Sequence, residues 1–327
     1  MSISFITYHY IRNSNHSTFK PYARTVEEFI MQVEYLNKNF DIIDPNDIEK
    51  VQDCLKSNKN KGVIFTFDDG YKDHVVASQI LKCYGVRGLF FIPGKVIEGK
   101  ELEVNRIHLL TYSGISCEKL LSRLETTIRK EKMKIRTQDK ACKEYVSIEN
   151  YIQELINDNG FDNGYTLAIK RLLQRDITDS TERAYAINEL FNKLGDELDL
   201  HEMKTLYMKN TDIEKLSVDG HAMGPHGYNH VWLGTQNEKI QSQDIELSIK
   251  ALENVIREYI VRDWYSYPYG SFDEETIRLM QENKITFGLT TDWGEAHMDQ
   301  GRYRLKRWDT NDWWNNEKKM PKNPLAK

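Results

Sequence analysis

At 327 residues the chain is long enough to bury a full hydrophobic core, as one large domain or as one domain carrying an insertion. With 39% apolar and 29% charged residues and a formal charge of -5, it has the make-up of a soluble globular protein with no global attraction for nucleic acid or an acidic membrane surface. No apolar run approaches the ~18 residues of a membrane span. The N-terminus lacks the basic start and long apolar stretch of a signal peptide, and the four cysteines (Cys54, Cys83, Cys117, Cys142) form no C-x-x-C pair. Reduced thiols in a cytoplasmic protein are the expectation.

A short apolar strand over 3–8 ends at His9. Thr25, with Glu28 three positions on, is a capping box that opens an amphipathic helix to 39, with Phe29, Val33, Leu36 and Phe40 at helical spacing. Asp44-Pro45 opens a second helix to about 55. Val63, Ile64, Phe65 and Phe67 are β-branched or aromatic and read as a buried strand, which must stop and turn at Asp68-Asp69-Gly70. Side chains alternate along a strand, so the two carboxylates start on opposite faces, and a bend at the strand end lets both line one pocket. Taken alone, the pair reads equally as an acidic turn capping the next helix. That helix spans 73–84, closed by Gly85, and a strand over 89–92 ends at Pro93-Gly94.

This β-α-β-α alternation marks a parallel sheet or barrel. From about 95 to 217 it is interrupted by charged helical pattern over 117–134, 144–157, 165–173 and 181–208. No fixed period recurs, so the stretch reads as a helical insertion on one loop and not as a repeat array. The alternation resumes with a strand over 220–225 delivering His226. A helix follows over 244–261, with Ile245, Ile249, Leu252 and Ile256 on one face, then a strand over 264–267, a helix over 274–283, and strands over 286–290 and 302–307. Trp308, Trp313 and Trp314 form a terminal cap. The domain expectation is a single barrel over 1–317, an insertion at about 95–217, and a mobile tail over 318–327.

Three motifs fall at strand ends: Thr66-Phe67-Asp68-Asp69-Gly70, then His226-Gly227-Tyr228-Asn229-His230, then Tyr267-Pro268-Tyr269-Gly270. As an ordered set, over about 3–307 without the insertion, they resemble the polysaccharide deacetylases, the NodB-homology or carbohydrate esterase family 4 enzymes. The chemistry fits, because amide hydrolysis needs an activated water and a polarised carbonyl, and a divalent metal supplies both. One carboxylate with two imidazoles makes an open catalytic metal site. His226 and His230 are four apart, so one turn of helix would put both rings on one side.

The resemblance implies an α/β fold of the distorted (β/α) barrel type. It implies Asp69, His226 and His230 as metal ligands and Asp68 as the general base. The backbone N–H of Tyr269 would stabilise the oxyanion, a contribution typically ~3 kcal/mol. Zinc is the default ion, with cobalt, nickel or iron as alternatives.

Two departures stand out. Ser266 occupies the place of an arginine that orients the base in many members, with Arg307 or Arg304 as candidate replacements. No leucine-rich motif ending in a histidine acid occurs near 304–307. A subset resembling the bacterial exopolysaccharide N-deacetylases carries Tyr-His after the first strand, and that histidine serves as acid. Tyr8-His9 matches it, so His9 is the candidate to protonate the leaving amine.

Asp292 could orient an imidazole or be a turn acid. The tryptophan cluster could stack on sugar rings or seal the barrel. His108 reads as core or surface.

The function expected is a metal-dependent hydrolase that removes acetyl from an N-acetylated sugar. A cytoplasmic precursor or linked glycan of surface polysaccharide synthesis would be the substrate, with the insertion as wall or lid. O-deacetylation uses the same machinery. A cyclic-amide hydrolase on the same fold is one alternative. A catalytically silent metal- or sugar-binding homologue is the other; the two missing motif residues favour it, and the retention of Asp68 beside Asp69 opposes it.

Overall fold

The computed structural model describes residues 2–13, 19, 21–57, 61–136, 148–157, 162–194, 198, 200–256, 261–315, 318 and 320–321; Cys142 and the tail beyond 321 lie outside them. The chain divides into two compact units. One comprises Met1–Asn13, Tyr22–Lys100 and Leu206–Lys327, and the other Ser14–Pro21 and Glu101–Thr205.

In the first unit, seven strands pair in parallel along one path: β1 (Ser2–Tyr8), β2 (Lys61–Phe67), β3 (Leu89–Ile92), β4 (Ala222–Pro225), β5 (Trp264–Ser266), β6 (Phe287–Trp293) and β7 (Leu305–Asp309). Their spatial order is β4-β3-β2-β1-β7-β6-β5, and a two-residue strand, Asp41–Ile42, adds to β2. The register of β1 on β2 runs unbroken from Ser2 opposite Lys61 to Tyr8 opposite Phe67. The outer edges, β4 and β5, nearly close the sheet on itself: the Nδ1 of His226 lies 2.7 Å from the carbonyl of Ser266. A Cβ at Gly224 would meet the Trp264 carbonyl at 2.8 Å, so only glycine permits this approach. The fold is a (β/α) barrel of the NodB type.

The interior explains where a site can form. Side chains of period two place Ile64, Thr66 and Asp68 in one column, and Phe5 and Thr7 in the next. The lower interior is apolar, with Phe5, Ile64, Leu89, Trp264, Phe287 and Leu305 buried together, closed off by Val51, Cys54 and Leu55. One layer higher it turns polar: the hydroxyls of Thr7 and Thr66 are 3.2 Å apart. At the C-terminal mouth the same columns end in Asp68, Ser266 and Arg307, all buried.

Helices cover the outside: α1 (Val26–Asn39), α2 (Ile48–Lys56), α3 (Asp73–Cys83), α4 (Glu238–Val255) and α5 (Glu274–Glu282). The α1 capping box is present, with Thr25 and Glu28 exchanging hydrogen bonds of 3.1 and 3.0 Å. The second helix starts later than expected, because Asp44 turns the chain by accepting from the N–H of Asn46 and Asp47 is the true cap. The α4 helix starts earlier, at Glu238, where Asn237 accepts from the N–H of Ile240. Asp244 is therefore an interior helical residue. The last strand lies at Leu305–Asp309, so Trp308 belongs to it.

The second unit is helical: Glu103–Tyr112, Cys117–Glu131, Ile148–Ile156, Gly164–Arg171, Ser180–Leu194 and Leu200–Thr205, with a π-turn at Leu172–Asp176. The helix expected over 181–208 is thus two. Helices Gly94–Ile97 and Asn210–Val218, which the sequence placed in the insertion, belong to the first unit. Met320–Pro321 pairs with Trp314–Asn315, so that part of the expected tail is a strand. Among the described residues no helix is long and apolar enough to cross a membrane, and Cys54, Cys83 and Cys117 are free.

Candidate active site at the mouth of the barrel

Asp68 and Asp69 follow β2 directly, and both are buried. Asp68 continues the inward column of Ile64 and Thr66. Asp69 would point away, but its backbone turns left-handed (φ 74°), as does that of Gly70 (φ 67°), and the carboxylate swings round to the same mouth. The bend expected from the sequence is this pair of positive φ angles.

Arg307 grips Asp68 with both guanidinium arms, Nη1 to Oδ1 at 2.9 Å and Nη2 to Oδ2 at 2.8 Å, while its Nε donates to the Thr290 carbonyl at 2.8 Å. Of the two candidate arginines it is Arg307 that reaches Asp68, and the hydroxyl of Ser266 is 3.4 Å from Oδ2. Burial opposes the charge on Asp68, but Arg307 and His226 outweigh it and hold the carboxyl down to about 2. Asp68 is therefore ionised at any ordinary pH.

On the other side, Oδ1 of Asp69 lies 3.4 Å from Nε2 of His226 and 3.1 Å from Nε2 of His230. The three ligand atoms fall within 4.8 Å of one another, so one cation can touch all three. His226 Nδ1 donates to the Ser266 carbonyl, which leaves Nε2 as the free lone pair facing Asp69. Burial resists charge on Asp69 too, yet the neighbouring His230 and His226 imidazoles hold its carboxyl well below the usual range.

The two imidazoles do not share a helical turn, contrary to the expectation from their spacing. They sit on an irregular loop in which Gly227 (φ 65°) and His230 (φ 56°) are left-handed, and the rings meet edge to face at 4.9 Å. A buried acid fixes the loop. Asp244 of α4 accepts from the N–H groups of Tyr228 and Asn229 at 2.7 and 2.8 Å, and from the Asn229 side chain at 2.9 Å.

Comparison with known proteins agrees with this geometry. A family model described as polysaccharide deacetylase matches residues 177–288, which include both histidines and Tyr269. YxkH of Bacillus subtilis (strain 168), a polysaccharide deacetylase by name, is 26% identical over 101 residues, 31% of this chain and 36% of that protein.

Residues 177–288 thus match the polysaccharide deacetylase family.

Three solved structures share the fold across nearly the whole chain. The Streptococcus pyogenes deacetylase PplD, in complex with acetate, has a TM-score of 0.56 at 14% identity, covering 94% of this chain and 92% of that one. IcaB from Ammonifex degensii gives 0.54 at 15%, covering 97% and 94%. The BpsB deacetylase domain from Bordetella bronchiseptica gives 0.53 at 12%, covering 94% and 95%.

The remaining residues at the barrel mouth divide clearly. His9, between β1 and the short strand Tyr10–Ile11, is near enough for its charge to bear on both Asp68 and Asp69. Its carbonyl accepts from Nε2 of His74 at 2.8 Å. His74, to which the sequence assigned nothing, is fully buried, and burial pushes it down to about 4, so it stays neutral. Tyr269 is left-handed (φ 57°), its ring edge-on to His230 at 4.7 Å and stacked on Trp232 at 5.0 Å.

Asp292 is exposed at the end of β6, where neither site imidazole has a hydrogen bond with it; the imidazole of His226 is oriented by the Ser266 carbonyl instead. Trp313 and Trp314 are buried, Trp314 with its ring edge-on to Tyr35 of α1 at 5.5 Å; Trp308 is 8% exposed. His108 lies in the helical unit, against Tyr112.

Sequence reasoning missed Asp244 and Tyr71. Asp244 stands mid-helix on the buried side of an amphipathic segment, where an acid must have a partner. Tyr71 stands immediately after the Asp-Asp-Gly motif.

Proposed function

We propose that the chain is a metal-dependent N-deacetylase that hydrolyses the acetamido group of an N-acetylated sugar unit in a polysaccharide or its precursor. The observation that carries this reading is the oxygen of Asp69 that faces two Nε2 atoms and has no hydrogen bond. A buried carboxylate oxygen without a donor, between two imidazole lone pairs, fits a divalent cation. Asp69, His226 and His230 would hold it, and zinc is the ion such a donor set takes by default, with cobalt, nickel or iron as alternatives. When bound, the ion supplies a polarised acetyl carbonyl and an acidified water.

The chain's own residues do the rest. Asp68, ionised and locked by Arg307, accepts the proton of the attacking water. A carboxylate held down to about 2 is a weak base, so it serves only a water already made acidic. The N–H of Tyr269 donates to the oxygen that becomes negative as the carbonyl is attacked. His9 protonates the departing amine.

The match of Tyr8-His9 to the exopolysaccharide N-deacetylase subset supports the last assignment. Arg307 on Asp68 weighs against a silent homologue, because one of the two missing motif residues then has a geometric replacement.

Acetate release from N-acetylated oligosaccharides, with and without chelator, tests the reading. Release that chelator abolishes and added metal restores is expected. Asp68→Asn should lose at least ~100-fold, and His9→Ala a comparable factor with an altered pH profile. Chelator-insensitive release, or full activity in Asp68→Asn, would contradict it.

A further inference from the structure

The two oxygens of Asp69 have different surroundings. Oδ1 faces the imidazoles, whereas Oδ2 takes the hydroxyl of Tyr71 at 2.7 Å. An ionised carboxylate only accepts, so the single hydroxyl proton of Tyr71 points at Oδ2. The hydroxyl of Tyr10 lies 3.0 Å from that of Tyr71 and, by the same proton count, donates to its oxygen. The result is a directed row, Tyr10 to Tyr71 to Asp69, in which each bond polarises the next.

The row is built rigidly. Tyr71 is fully buried and Tyr10 5% exposed. Their rings stack at 4.3 Å and 17°, and Tyr207 stacks on Tyr71 at 6.2 Å. Behind Tyr10 the Arg12 guanidinium stands 5.3 Å from the ring centre, itself forked onto Asp73 at 2.7 and 2.8 Å. The Asp73 carboxylate also accepts from the N–H of Ile11 at 3.1 Å. The start of α3 thus clamps the segment around Tyr10 directly behind the motif that carries Asp69.

We infer that Tyr71, backed by Tyr10, is a positioning residue for Asp69: its hydroxyl occupies Oδ2 so that Oδ1 alone is presented to a cation. Asp69 would then offer a cation one oxygen and not two. This rests on the reading of Asp69, His226 and His230 as ligands. Without the hydroxyl, Oδ2 is a buried acceptor with no partner, free to turn toward the ion.

The test is metal binding, not turnover. Metal-stripped wild type, Tyr71→Phe and Tyr10→Phe are titrated with zinc against a chromophoric chelator, and the cobalt-loaded forms are compared by visible absorption. Tyr71→Phe is expected to bind zinc ~10-fold more weakly and to change the cobalt bands, with Tyr10→Phe shifting both in the same direction by ~2- to 3-fold. A loss of packing alone would leave the cobalt bands of the folded fraction unchanged.

Wild-type zinc affinity and cobalt spectrum in Tyr71→Phe would overturn the inference while leaving the ligand set standing. If Tyr71→Phe fails to fold, wild-type behaviour of Tyr10→Phe in both measurements overturns it. A wild type that takes up no zinc would overturn the ligand reading itself, a result distinct from equal affinities.

Discussion

The two sides of the barrel mouth are built by different means. The Asp68 side stands on strands: Asp68 extends the inward column of β2, and Arg307 reaches it from within β7, whose pairing with β6 shifts register between Leu305 and Arg307. The other side stands on irregular backbone. Asp69, His230 and Tyr269 are all left-handed non-glycine residues, and the histidine loop is tied down by one acid, Asp244. A base needs only the correct charge and direction, which a strand end provides. A metal site needs three donors converging on one point, which no single strand or helix can supply here, and the strained φ angles are what that convergence costs.

The largest effect should come from breaking the strand side. Arg307→Leu leaves a buried, unpaired carboxylate and should cost about 3–5 kcal/mol in urea unfolding. Because Ser266 faces the same carboxylate from β5, Ser266→Arg in the Arg307→Leu background should recover part of that loss. No recovery would mean that the two positions are not interchangeable supports for Asp68.

Acid should separate regions of the metal-free protein by pH window. His74 and His221 are each pushed down to about 4 by burial, against ~6.5 in the unfolded chain. The unfolded chain therefore takes up protons first. Stability fully present above ~6.5 is lost as the pH falls toward 4, by at most about 3 kcal/mol per histidine. Asp68 behaves otherwise: its contribution is present above ~4 and is lost only as the pH falls through about 2. Unfolding free energies that stay flat from pH 7 to 4 would contradict the buried neutral histidines.

The loop side should give the smallest change in stability. Asp244→Ala frees two backbone N–H groups and should cost about 1–3 kcal/mol. It should weaken metal binding while leaving the Asp68–Arg307 pair intact. An Asp244→Ala protein with unaltered metal affinity would show that the loop holds its shape without the acid.

Local chemistry was legible in the sequence, and long-range pairing was not. The capping box at Thr25 and Glu28, the strand into Asp68-Asp69-Gly70 and the parallel alternation each reside in a few consecutive residues. The spacing of His226 and His230 suggested a helical turn, because four residues is a helical interval. The intervening glycine at positive φ produced the same proximity by another route. Arg307 could be named only as one of two candidates, because its partner lies across the barrel on β2, and only closure of the sheet decides between Arg304 and Arg307. Arg304 instead pairs with Glu274. Asp244 and Tyr71 were invisible for the same reason, since their roles depend on which loop or carboxylate the fold brings to them.

The most direct test of this division is zinc content per chain, by elemental analysis after reconstitution and dialysis, in wild type, Asp68→Asn and Asp69→Asn. About one zinc per chain in wild type and Asp68→Asn, and none in Asp69→Asn, is the predicted result. Equal zinc in all three, or none in any, would contradict the assignment of adjacent aspartates to separate tasks.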